Sequence, residues 1–401
     1  MPANPANRID GIDFWRGFAL LTIFIDHVPE NIFQHVTQRN FGFSDAAELF
    51  VFLSGASVAL AYGSRFFRGE TVAAVRAVLR RAFTLYWVQV LTSLLIIAIF
   101  AAAALWWDND DLIDDDDRDA VVSSPLTGIS GIVALLHQFE NVNILPLYVV
   151  LLLITPALLL LARRSDWLML LASGLIYLAA RLFELNVPSW PLDGGWYFNP
   201  LAWQLIFAIG LFVGRRLRSG GIPYDRRLFA LCLAVVVASC VVVTNGFGLV
   251  PDLWSDMREV LDHGKTDLGL VRIVHYLALA YVIGHSGLTR LLRRSFVFSP
   301  LALMGRHSLP VFSAGCVLTA LGEVMVETRP EDFAHTLELG AVIVAAGVLA
   351  HYAVAHLIGV YRSVERRPVL VVATVMPSPP LAAEARVLEP QAELAASLSS
   401  R

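Results

Sequence analysis

Lysine is almost missing from this chain: Lys265 is the single one, so arginine carries nearly all the basic charge. Cysteine is scarce too. Cys232, Cys240 and Cys316 all lie in apolar segments, which speaks against a disulfide framework or a zinc site and leaves packing as their role. Charged residues make up only 16% of the 401, and a net charge of −4 leaves no footprint for nucleic acid. There is no GxSxG elbow, no HExxH helix and no Walker loop, and nothing points to a metal or redox cofactor. What is abundant is hydrocarbon. Hydrophobic residues are 57% of the chain and the mean hydropathy is +0.64, the balance of a polytopic membrane protein.

Apolar runs of spanning length fall near 12–28, 46–63, 83–106, 143–162, 166–184, 200–214, 227–245, 268–287, 300–322 and 337–360. The expectation is an all-α integral membrane protein of about ten transmembrane helices. Segment 127–140 is apolar but too short to cross, and reads as a re-entrant or interfacial helix. The first run is interrupted by charge and lacks a small-residue cleavage site, so it reads as a retained span, not a secretory signal. Alternate loops hold the arginines: Arg65 to Arg81, Arg163/Arg164, Arg215 to Arg227, Arg290 to Arg294, and Arg362 to Arg367. The positive-inside rule makes these loops cytoplasmic, and both termini with them. Residues 1–365 form one membrane domain, and 366–401, rich in Ala, Pro, Glu and Ser, read as a disordered cytoplasmic tail. The acidic run WWDNDDLIDDDDRD at 106–119 reads as a solvated outer loop without the spacing of a calcium site. Trp106, Trp107, Trp190, Trp196, Trp203 and Trp254 lie near outer span ends, as interface belt residues or as platforms for sugar rings.

The first span, RIDGIDFWRGFALLTIFIDHVP, carries Asp13, Arg16, Asp26 and His27. Ionisable groups in a bilayer are costly and are usually kept for function. Arg16 and His27 are eleven residues apart, almost a whole number of turns, so they share a face and stand about 16 Å apart along the axis. His27 near the outer mouth suits a general base, with Asp45 or Glu48 in the first turn of the second span to orient the ring. Asp45 also reads as the N-cap of that helix, with Glu48 closing a capping box. At the inner end Arg76, Arg80 and Arg81 either anchor the third span or grip the phosphates of a nucleotide-like donor. Arg272, His275, Arg306 and His307 are further intramembrane groups, candidates for the same cavity or for structural hydrogen bonds.

These residues resemble a known family. Arg8, Asp10, Asp13, Arg16, Gly17 and His27 resemble the first-span pattern of acyltransferase-3 and heparan-glucosaminide-acetyltransferase-like enzymes. The segment NFGFSDAAE at 40–48 with FVFLSG at 50–55, Leu145–Pro146–Leu147–Tyr148, WYFNPLAW at 196–203 and GRHSLPVF at 305–312 resemble OpgC-type membrane acyltransferases more closely. The resemblance implies a multi-pass enzyme of the bacterial inner membrane that moves an acyl group from cytoplasmic acyl-CoA to a periplasmic glucan, with succinyl-CoA as donor, or acetyl-CoA. It maps the catalytic imidazole to His27 and likens the Arg-rich entrance (Arg16, Arg76, Arg80, Arg81, Arg306) to the CoA side. Asp13, Asn40, Arg272, His275, His307 and Trp196 are the candidate substrate contacts, with Asn40 a donor to the oxyanion and Arg272 or Arg306 a cation for a succinyl carboxylate. Expected partners are acyl-CoA, the glucan, the lipid bilayer and a second copy of the chain. The competing class is a transporter or flippase; the absence of an internal repeat and the crowding of polar groups into the first three spans argue against it.

Overall fold

The computed structural model describes residues 5–114, 116–250, 252–329 and 336–365, and is all-helical over them, without strands. The expected tail at 366–401, and the side chains of Arg8 and Arg362, lie outside the described residues. The long helices in chain order are α1 (Pro5–His27), α2 (Ala46–Phe67), α3 (Thr71–Trp107), α4 (Ile144–Arg164), α5 (Asp166–Leu182), α6 (Pro200–Arg218), α7 (Arg226–Val243), α8 (Leu270–Ser286), α9 (Phe298–Arg306), α10 (Ser308–Glu327) and α11 (Thr336–Glu365). Among the described residues seven helices are long and apolar enough to cross a membrane: α2, α3, Glu140–Arg164, α6, α7, α10 and Leu337–Tyr361 of α11. α1, with Asp10, Asp13, Arg16 and Asp26, falls outside that group, as do the 17-residue α5 and α8.

One expected span is corrected. The run at 300–322 is not continuous. The chain breaks at His307, whose backbone leaves the helical region at φ −110°, ψ 35°, so α9 and α10 are separate rods. The apolar stretch before α4 forms a nine-residue helix, Pro125–Val133, followed by a turn in which Leu135 has positive φ. Tyr86, near the middle of α3, donates to the Val133 carbonyl at 2.8 Å, so this segment reaches the mid-level of the bundle.

The helix ends follow ordinary capping chemistry. Asp45 caps α2: its Oδ1 accepts from Ala47 N–H at 2.8 Å, while Glu48 Oε2 accepts from Asp45 N–H at 2.8 Å, completing the box. Asn199 caps α6 ahead of Pro200 at N1. Two seams hold the centre. Gly55 of α2 lies on the backbone of Phe207 and Leu211 of α6, Gly210 and Gly214 of α6 lie on the backbone of Phe52 and Ala56 of α2, and Gly305 of α9 meets Gly17 of α1. A Cβ on Gly17 would fall 1.9 Å from the Leu301 carbonyl oxygen, and one on Gly305 1.8 Å from that of Asp13, so these backbones touch. Small residues replace the hydrophobic effect as the means of helix association where the surroundings are already apolar. Leucines and aromatics on the outer faces of α3, α5 and α7 stay exposed, and α7 buries only Ser239. Trp196 and Trp203, expected as belt or sugar-stacking residues, are instead buried. The Trp203 indole donates to the carbonyls of Lys265 and Thr266.

Candidate active site

His27 is the last residue of α1 and is half-buried. Its Nδ1 lies 2.7 Å from the Ile23 carbonyl oxygen, one turn back. A carbonyl can only accept, so Nδ1 carries a proton, and Nε2 is the ring nitrogen left to act as an acceptor. Nε2 has no hydrogen-bond partner among the described residues. His27 lines a narrow cleft of about 10 Å³, room for about one water, with Phe24, Asn141, Cys316, Thr319 and His351. The walls come from α1, α10, α11 and the turn Glu140–Val142, which Cys316 Sγ ties down by donating to the Asn141 carbonyl at 3.1 Å.

The expected carboxylate partners of His27 are engaged elsewhere. Glu48 is fully buried and accepts from Arg272 Nε at 2.6 Å, while Asp45 Oδ2 accepts from Arg272 at 3.1 Å and from Lys265 Nζ at 2.7 Å. Two anions and two cations thus close on themselves at the start of α2. Burial works to raise the Asp45 carboxyl, but Lys265 and Arg272 outweigh it and hold it below the usual carboxylate range. Burial likewise opposes the Lys265 ammonium, and Asp45 overrides it and raises its pKa. The orienting role assigned to Asp45 and Glu48 is therefore corrected: the ring is fixed by a backbone carbonyl, and the acids secure α2 to α8. Asp26 is also occupied, accepting from Thr37 Oγ1 at 2.6 Å and facing Arg39 at 3.5 Å.

Several substrate candidates are likewise committed. Asn40 spends its amide on the carbonyls of Gln34, at 2.6 Å, and Thr37, which removes it as an oxyanion donor. His275 is buried against Gly42, and its Nδ1 meets both the backbone N–H and the hydroxyl of Ser44, which makes it a brace for the 42–44 turn. Arg272 is committed to Asp45 and Glu48, which removes it as a cation for a second carboxylate, whereas Arg306 pairs with Asp10 at 2.9 Å and Asp13 at 3.6 Å and stays half exposed. His307 sits at the α9–α10 break beside Gly359 of α11, about three helical turns from Thr319 in the middle of α10.

At the other end of α1, Arg16 bonds to Ser57 of α2, to the Gly305 carbonyl at 3.4 Å and to Asp13 at 3.5 Å. Arg81 and Tyr148 lie within electrostatic range of its guanidinium, and Tyr62 within range of the same two groups. The three α3 arginines divide. Arg81 turns inward and is half-buried, whereas Arg76 and Arg80, one turn apart, are exposed beside an apolar groove. Sequence reasoning missed Asn141, Thr319 and His351. Asn141 closes the short Glu140–Val142 turn and His351 lies mid-way along an apolar helix, and neither carries a local pattern.

The family model described as OpgC protein matches residues 8–363, and the chain belongs to that family. Membership implies a membrane acyltransferase acting on glucans. No curated protein and no solved structure matches the chain.

Proposed function

We propose that the protein is an acyl-CoA-dependent O-acyltransferase of the bacterial inner membrane, with His27 as general base and a succinyl group, or acetyl, as cargo. The chain crosses the membrane ten times with both termini in the cytoplasm, α5 and α8 crossing as short helices and α9 with α10 as one broken span. Arg16 and Arg81, with Arg306 at the rim, face the donor's phosphates at the cytoplasmic end. The pantetheine arm reaches along α1 to the cleft, over the ~16 Å that separate Arg16 from His27 on one helix face. A glucan hydroxyl enters from the periplasm and loses its proton to Nε2. The alkoxide oxygen attacks the thioester carbonyl, the side-chain amide of Asn141 donates to the oxyanion, and the C–S bond breaks. The imidazolium returns its proton to the departing CoA thiolate, leaving an ester on the glucan and a neutral base.

One observation carries this reading: the Nδ1–H···O=C bond to Ile23, which leaves Nε2 as the basic nitrogen in a cleft within the bundle. The test uses membrane vesicles loaded with labelled succinyl-CoA or acetyl-CoA and given glucan on the opposite face. Wild-type protein should acylate the glucan, and His27→Gln should abolish transfer while still gaining thermal stability from CoA. Retained turnover in that variant would refute the base assignment. Labelled protein isolated after exposure to acyl-CoA alone would replace direct transfer by an acyl-histidine route.

A further inference from the structure

Arg76 and Arg80 border a groove on the molecule's flank. It measures about 940 Å³, is open-sided, and runs between α3 and α4 down to Leu135. Its walls are hydrocarbon: Val75, Leu79, Phe83, Leu135, Val149 and Leu153. Leu79, Phe83 and Leu153 are 43%, 62% and 52% exposed, so among the described residues little covers them. Tyr86, at its deep end, already gives its hydroxyl to Val133. The groove therefore has two cations at one end and only apolar surface beyond.

That distribution does not suit CoA, which brings an adenine, several phosphates and two amides and would need polar walls to receive them. It suits a molecule with one anionic group and a hydrocarbon chain. We propose that this groove holds an anionic glycerophospholipid, its phosphodiester on Arg76 and Arg80 and one acyl chain along Val75, Leu79, Phe83 and Leu153. The two guanidiniums are one helical turn apart and form no ion pair with the described residues, so both can reach a single headgroup. The hydrocarbon wall does not discriminate among lipids, because any acyl chain finds equivalent surroundings in the bilayer. Selectivity rests on the headgroup charge, at about fivefold per arginine. The proposal stands apart from the acyl-transfer reading and survives or fails independently of it.

The experiment places the full chain in vesicles containing phosphatidylglycerol or phosphatidylcholine analogues with a photoactivatable group midway along one acyl chain, and maps the crosslinks by mass spectrometry. The expected result is labelling of the peptides around Leu79–Tyr86 and Leu153 several-fold higher with phosphatidylglycerol. The preference should vanish in R76Q/R80Q and persist in the control R226Q/R227Q, with crosslinks elsewhere on the chain unchanged. Equal labelling by the two lipids, or a preference that survives R76Q/R80Q, overturns the proposal. So does loss of wild-type labelling on adding CoA, which would return both arginines to the donor. A crosslink to a second copy of the chain at the same residues would make that copy the occupant.

Discussion

Replacing Arg272 by methionine removes one cation from a closed set of four charges. Arg272 is 9% exposed and Glu48 is fully buried, with 2.6 Å between Nε and Oε1. The substitution leaves Glu48 and Asp45 facing each other with Lys265 as the single remaining counter-charge, 2.7 Å from Asp45. Stranding one member of a buried pair costs about 3–5 kcal/mol. Removing both partners is different. In E48M/R272M the Asp45–Lys265 pair survives, methionine fills the volume, and the chief loss is the acceptor for Asp45 N–H, ~1 kcal/mol for a helix cap. The double variant should therefore be more stable than R272M alone, with a coupling near 3 kcal/mol, the upper range for groups in contact. Unfolding in mixed micelles titrated with SDS, followed by tryptophan fluorescence, measures all four proteins. Additive losses would refute the closed network. A decisive companion is E48Q: it should lower stability and leave the pH dependence of transfer unchanged. A shifted activity profile at wild-type stability would put Glu48 back beside the imidazole of His27.

The Asp45 carboxyl makes stability depend on acid. Its folded pKa lies below the unfolded value of about 3.9, so its contribution is complete above that value and is lost as the pH falls toward the folded pKa. The apparent Tm should drop steeply below about pH 4, and D45N should be less stable at neutral pH with a flatter acid limb; parallel curves would sink this account. Asn141→Ala should cost about 10²–10³ in kcat if its amide serves the oxyanion, with little change in KM for acyl-CoA; an unchanged kcat removes Asn141 from the reaction. Gly305→Leu drives a side chain into the Asp13 carbonyl and should lower the yield of folded protein, with overpacking of at least ~1–3 kcal/mol; normal yield and Tm would mean that α1 and α9 do not touch as described.

Much of the fold can be read from local pattern, because helix periodicity and capping are local. The Asp45–Glu48 box spans four residues and has its own signature. The shared face of Arg16 and His27 follows from helical geometry alone. Cross-helix partners are another matter. Glu48 and Arg272 stand 224 positions apart, and nothing at either site names the other. A run of arginines gives charge but not direction: Arg80 and Arg81 differ by about 100° of rotation, enough to send one to lipid and the other to Arg16. His27 invites a carboxylate partner in sequence because carboxylates are nearby, yet the carbonyl one turn back wins by being fixed in place already. The break at His307 does carry a local signal, since Pro310 lacks the N–H that a continuous helix would give to the Arg306 carbonyl and Gly305 stands just before it.

That break has a mechanical consequence. A continuous rod from Phe298 to Glu327 would lever the neighbourhood of Arg16 against the neighbourhood of His27. Jointed at His307, the two halves can tilt separately. α9 is held to α1 through Gly17 and Gly305, so a tilt of α10 at the joint is not obliged to carry α9 with it.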